Sequence, residues 1–332
     1  MTASHTPTIL GLDLSGTGAP RSWVGNGDSE SEAFIMGRLA GLAALADKGG
    51  VDLIALDSRF RLGSGRRRDD WLDGALAASR LGRHTSDLTV VAAVPLGVTD
   101  ADHVASAVSS VHRATGGRAG WQVEGGTRPL TARAVDAVID ALGAPRVSRR
   151  TGSDVAGHRP DVVVTVRQPL DLELAAARAD VARIRVASLE EAISARAAIR
   201  EAAREWGREP DAVRVLVDVH AVLGADEDGA RARADLLELL ESETEPETGL
   251  LRFVGTSAGL ADLWSQWSAA GAADGFTVIP ASVPTDVLAV VTELVGELTA
   301  RGLRGVSTPT VPASPRLAPR PAGRRRTAAV AA

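Results

Sequence analysis

Short apolar runs rich in Val, Ile and Leu alternate along this chain with longer Ala-rich segments of helical period. Such alternation marks repeated βα units, because parallel strands are covered on both faces and need a helical crossover between neighbours. Eight runs read as strands: ILGLDL (9–14), VDLIALD (51–57), LTVVAAVP (88–95), AGWQVE (119–124), DVVVTV (161–166), VARIRV (181–186), VRVLVDV (213–219) and DGFTVIP (274–280). Between them, segments such as 30–49, 100–117, 188–207 and 284–302 carry helical periodicity. Asp100 and Ser188 stand at N-cap positions, Pro284 suits a first turn, and Gly117, Gly207 and Gly302 stand where helices should stop.

Eight strands with helical crossovers predict a (β/α)8 TIM barrel. A doubly wound open sheet is the alternative, since periodicity does not reveal strand order. A length of 332 residues with 45% hydrophobic content accommodates one barrel domain over residues 1–305. Residues 145–160, a polar and basic connection, and 224–250, a long acidic helix and loop, depart from the repeat and read as surface excursions. Residues 306–332 are rich in Pro and Arg without apolar periodicity and read as a disordered tail, with Arg324, Arg325 and Arg326 as a solvated charge run.

Composition removes several classes of function. The 37 basic residues are matched by 42 acidic ones for a net charge of −5, so no electrostatic footprint for nucleic acid covers the body. Cysteine is absent, which excludes disulfides, thiolate metal sites and cysteine nucleophiles. No basic leader precedes an apolar run, and no stretch reaches the roughly 18 apolar residues of a membrane span, so a soluble cytoplasmic protein without membrane partners is expected. The histidines show no HxH or HExxH spacing, so no metal is expected. P-loop, GxGxxG and GxSxG patterns are missing.

In a barrel the chemistry sits at the C-terminal ends of strands. The strand assignments therefore select Asp13, Asp57 and Ser58, Gln122 and Glu124, Arg167 and Gln168, Asp218 and His220, and Pro280. Each has a plainer reading beside the functional one. Asp57 and Ser58 could cap the turn after strand two. Asp218 and His220 share one strand face and could serve as an acid/base pair, or be a salt-bridged or solvated pair. Arg66, Arg67 and Arg68, in the loop after strand two, suit either solvent or an acidic ligand.

Two segments, HRATGGRAGWQVE (112–124) and FVGTSAGLADLWSQWSAAGAADGFTVIPASVPTDVLAVVTELVGELTARGLRG (253–305), resemble the luciferase-like flavin-dependent monooxygenases, in the branch acting on alkanesulfonates, nitrilotriacetate and long-chain alkanes. LIALDSRF (53–60) is similar to the family's FFADS, and RPDVVVTVRQPLDLELAAARAD (159–180) to its RPVIVQAGSSxxGRELAARHAD. The resemblance covers most of residues 33–304 and implies a TIM barrel that binds reduced FMN, supplied by a separate reductase, and activates oxygen on a small organic substrate. It also implies a homodimer.

Carried onto this chain, it places flavin contacts at Asp57 and Ser58, at Leu96, at Gln122, and at Arg167 and Gln168; it assigns no catalytic residue. The departures cluster at the same places. Gln122 replaces an asparagine, and Glu124, Gly125 and Gly126 replace a serine-ended turn. PLGVTDADHVA (95–105) loses the hydroxyls of STTYNEPYHVA while keeping His103. Val166, Arg167 and Gln168 stand for the Gly-Ser-Ser whose backbone and hydroxyls hold the FMN phosphate, where Arg167 could pair with phosphate instead. The long insertion after strand four, with its histidine, is mostly missing, and His158 is not assigned that role. Three readings follow: an oxidoreductase using FMN or the deazaflavin F420, a barrel that has lost its flavin and acts as a regulatory or structural partner, and a binding module for a small apolar ligand.

Overall fold

Closure settles what periodicity leaves open. In the computed structural model, which describes residues 7–15, 32–56, 74–96, 100–125, 132–143, 159–240 and 249–304, β1 (Ile9–Asp13) pairs with β2 (Leu53–Leu56). The order continues through β3 (Thr89–Leu96), β4 (Ala119–Gly125), β5 (Asp161–Val166), β6 (Val181–Ile184) and β7 (Arg214–Leu223). β7 pairs with β9 (Gly275–Pro280), and β9 returns to β1, so these strands close a parallel barrel rather than an open sheet.

One strand was not in the expected set. β8 (Leu251–Gly255) follows directly on the 224–250 segment that the sequence reads as a surface excursion, and it pairs with Val219–Leu223 of β7. β7 itself runs past its expected end at Val219 to Leu223. Because the β6 pairing stops at Val217, the upper half of β7 has an open edge, and β8 covers it.

The helices pack outside: α1 (Glu32–Lys48), α2 (Gly74–Leu81), α3 (Ala101–Ala114), α4 (Ala132–Gly143), α5 (Pro169–Arg178), α6 (Leu189–Glu205), α7 (Glu227–Leu240) and α8 (Ser257–Ala269). The final helix, expected as one piece, is α9 (Thr285–Ala289), a π-helical turn (Val290–Leu294) and α10 (Val295–Ala300). Ser188 caps α6 by accepting from the Glu191 N–H at 3.2 Å, as expected. Asp100 holds the extended N-cap backbone of α3 without a side-chain bond. Gly117, Gly207 and Gly302 all have positive φ, which is why these helices stop on glycine.

The motif GGRAGW can now be read atom by atom. Arg118 donates to the carbonyls of Leu88 at 2.6 Å and Thr85 at 2.8 Å, tying the entry of β4 to that of β3. Gly120 faces the bore, where a Cβ would lie 2.9 Å from Val91 Cγ2. Trp121 points outward, fully buried against the helices, and its Nε1 donates to the Val94 carbonyl at 3.1 Å. Arg118, Gly120 and Trp121 thus each serve barrel closure or packing.

The same N-terminal end of the barrel holds Asp47 of α1. Its carboxylate accepts the N–H groups of Ser86, Asp87 and Leu88 at 2.7, 2.9 and 2.8 Å. Burial alone would raise its pKa, but these three bonds and the Arg118 charge outweigh burial and lower it. A carboxyl depressed in the folded state stabilises above its unfolded pKa of about 3.9 and loses that contribution as pH falls toward the folded value. Asp47→Asn is therefore expected to be less stable than the parent at pH 7, with the difference shrinking below about pH 4. Urea unfolding at a series of pH values checks this; a pH-independent difference would remove the carboxylate's charge from the account.

Candidate active site

Inside the barrel, alternate residues of each strand face the bore. The lower half is apolar, built from Leu53, Ala55, Val91, Val163 and Leu216. The next inward positions toward the C-terminal end are polar: Asp13 on β1, Gln122 on β4, Arg183 on β6 and Asp218 on β7. These four meet at one guanidinium.

Arg183 donates through Nε and Nη2 to the two oxygens of Asp218 at 2.8 and 3.0 Å, through Nη2 to Asp13 at 2.7 Å, and through Nη1 to Gln122 Oε1 at 3.1 Å. Its side chain is 3% exposed and that of Asp218 is 0% exposed, so the bidentate pair sits wholly out of water. Burial alone would lower the Arg183 pKa, but the charges and hydrogen bonds of Asp218 and Asp13 raise it, and the cation is locked in. Burial pushes the Asp218 carboxyl up, against the pull of Arg183. Arg185, two residues on, brings its Nε to 3.6 Å from Asp218 as a second cation.

The network orients what stands above it. With Gln122 Oε1 held by Arg183, the amide's Nε2 donates outward to Glu124 Oε1 at 3.2 Å. Asp13 is fixed from its other side by the Ser15 N–H at 3.0 Å. The Thr165 hydroxyl is buried and has no hydrogen-bond partner among the described residues. The C-terminal mouth thus presents a fixed amide, two carboxylates and a cation, a set able to grip a polar ring edge. His220 lies two residues beyond Asp218 on the same strand face and is half-buried.

A rigid rim stands beside this mouth. Asp286, fully buried at the start of the final helix, accepts from the Leu223 N–H at 2.9 Å, the Ser282 N–H at 2.7 Å and Arg233 at 2.9 Å. It ties the loop after β9 to the end of β7.

The residues singled out from the sequence are distributed unevenly. Gln122, Asp13, Glu124, Asp218 and His220 lie at or under the mouth. Leu96, the last residue of β3, packs with the helix-facing core at 5% exposure, so its backbone rather than its side chain adjoins the mouth. Asp57, Ser58, Arg66, Arg67, Arg68, Gly126, His158 and the 306–332 tail lie outside the described residues. His103 is exposed on α3. Arg183 and Arg185 were not anticipated. The signal was present: in VARIRV the two arginines alternate with Ala182, Ile184 and Val186, which puts both charges on one strand face.

Arg167 and Gln168 are exposed at the entry to α5. Their backbone N–H groups, the donors a helix N-terminus would offer an anion, are both taken by the carboxylate of Asp171, at 3.0 and 3.2 Å. Gln122 and Glu124 could hold a polar ring edge at the mouth, but a phosphate does not fit this loop as it stands.

An apolar cavity of about 60 Å³ opens at the other end of the bore, lined by Ile9, Leu53, Ala55, Val91, Val163 and Leu216 among others. It lies below Arg183, at the end where barrels carry stability rather than chemistry. It is not the site. Among the described residues no group of three His, Cys, Asp or Glu side chains could hold a metal ion, and no helix is long and apolar enough to cross a membrane.

No protein-family model matches the sequence, and a comparison with curated proteins finds no match. Solved structures do match. The EDTA monooxygenase EmoA from Chelativorans sp. BNC1 superposes with a TM-score of 0.74 at 17% identity, over 92% of this chain and 97% of that one. A long-chain alkane monooxygenase, LadA, gives 0.70 at 16% identity over 93% and 95%. The coenzyme F420-dependent tetrahydromethanopterin reductase from Methanopyrus kandleri gives 0.61 at 13% identity over 88% and 99%. At these identities the likeness shows the fold alone, a closed parallel barrel shared with these enzymes.

Proposed function

We propose that this chain, a barrel with the luciferase-like monooxygenase fold, is a flavin-dependent oxidoreductase that works at its C-terminal mouth on a small organic substrate. The observation that carries the reading is the Arg183-centred network, which delivers Gln122 and Glu124 in one fixed orientation to the end of the barrel where this fold's monooxygenases are expected to react. A reduced flavin supplies the electrons for oxygen chemistry, and a separate cytoplasmic reductase is the expected source of that flavin.

The chain's own residues have three tasks in this reading. Gln122, with its amide held in one orientation, offers a hydrogen bond to a heteroaromatic edge. Arg185 supplies positive charge near the mouth, where developing negative charge can be stabilised in a site of low dielectric. Asp218, fully buried, holds that charge in place rather than reacting. Asp57 and Ser58 remain proposed contacts from the β2 end, and a homodimer remains the proposed assembly.

The fold likeness to an F420-dependent reductase makes F420 the second cofactor to examine. The test is a titration of purified, folded protein with FMN and riboflavin, oxidised and then reduced under anaerobic conditions, with F420 in parallel. Saturable binding at micromolar concentration is expected for a flavin. Absence of binding by every one of them would overturn the enzyme reading.

A further inference from the structure

The entry to α5 has almost no donor left to give. Asp171 occupies the Arg167 and Gln168 N–H groups. Pro169 has no N–H. The Asp171 and Leu172 N–H groups turn back to the Gln168 carbonyl at 3.0 and 3.3 Å. Among the described residues from 167 to 172, the Leu170 N–H alone stays open.

An incoming dianion would have to displace a carboxylate from two N–H groups and then lie beside it. Like charges at that separation repel, and Asp171 is covalently held at the loop, so it competes at an effective concentration no free ligand reaches. Arg167 remains, but a single exposed cation in water contributes little to an ion pair.

Resting on the flavin reading above, we infer that Asp171 serves as a built-in occupant of the anion position after β5, and that this barrel takes the flavin by its ring and ribityl chain without gain from a phosphate. Its ligand class is the riboflavin type, with FMN bound no better. The groups at the mouth agree with this, since an amide and a carboxylate suit neutral polyol and ring partners.

The experiment compares dissociation constants of FMN and riboflavin, by fluorescence, for the parent and for Asp171→Ala. In the parent the two are expected to agree within about fivefold. In Asp171→Ala, with two N–H groups released, FMN is expected to gain about tenfold or more relative to riboflavin. Should α5 not tolerate alanine, Asp171→Asn keeps a capping oxygen without the charge, and a smaller shift in the same direction is expected. A parent preference for FMN beyond about tenfold would overturn the inference while leaving the flavin reading intact. A ratio that does not move in either variant would also overturn it. Failure of both flavins to bind the folded parent would remove the flavin reading itself, and the inference with it.

Discussion

Replacing Arg183 by alanine is expected to destabilise the protein by about 3–5 kcal/mol, one of the two largest single-residue effects in the barrel. The cost comes less from the bonds lost than from what they leave behind. Asp218 is fully buried and takes both of its short hydrogen bonds from Arg183, so without that side chain the low-dielectric bore holds a carboxylate facing Arg185 at 3.6 Å. Asp13, at 12% exposure, can recover some solvation from the mouth.

Arg183→Met combined with Asp218→Leu should regain part of the loss, because the fully buried carboxylate leaves together with its cation, although Asp13 and Arg185 still lose these partners. Gln122 would still lack its donor and its amide would be free to flip, so the proposed flavin binding should be weaker in the double variant than in the parent. Denaturant unfolding of the two singles and the double reads the coupling directly. A coupling energy near zero would mean that Arg183 and Asp218 do not act as a unit.

Gly275→Ala is expected to cost about 3 kcal/mol or more, at the upper end for overpacking, for a steric reason. A Cβ at this position would lie 2.3 Å from the Ile9 carbonyl oxygen, 2.7 Å from Ile9 Cβ and 2.8 Å from Leu216 Cδ2. Ile9 and Leu216 belong to the strands on either side of β9, so backbone would have to part at the seam where β9 joins β1 and closes the barrel. Gly296, with nothing near its missing Cβ, is the control, and Gly296→Ala should be neutral or slightly stabilising. Thermal and urea unfolding of the two variants test the contrast; equal behaviour would show that the seam can relax.

These two residues illustrate how differently the sequence speaks about fold and site. The stretch ADGF, part of the resemblance, contains Gly275 because of the β9 seam and Asp274 because its carboxylate binds the Val215 N–H at 2.9 Å and Arg196 at 2.6 Å. Phe276 stacks on Trp264 with ring centroids 4.3 Å apart. Like GGRAGW, the block is made of parts that close and pack the barrel. A resemblance carried by such parts speaks first about architecture.

The ligand-facing departures needed geometry. As a sequence letter Asp171 is an ordinary acidic residue in the first turn of a helix. In the family stretch GSSxxGRELAARHAD a glycine stands three places after the second serine, and the same count from Gln168 reaches Asp171. That count was available; what the carboxylate does there was not, because it depends on a loop conformation placing one oxygen within reach of two N–H groups.

By itself the sequence determined the βα repeat, the eight barrel strands, the helical stretches over 30–49, 100–117 and 188–207, and the inward position of Asp13, Gln122, Glu124 and Asp218. All of these follow from period-2 and period-3.6 patterning and from local backbone chemistry, which act over a few residues. Only the tertiary structure decided that the sheet closes, that β8 covers the free edge of β7, and that residues as distant as Asp13 and Arg183 share a hydrogen bond. Partners on opposite walls of a barrel are chosen by strand stagger and by the cost of leaving a buried charge unpaired, and neither quantity is written in any one stretch of the chain.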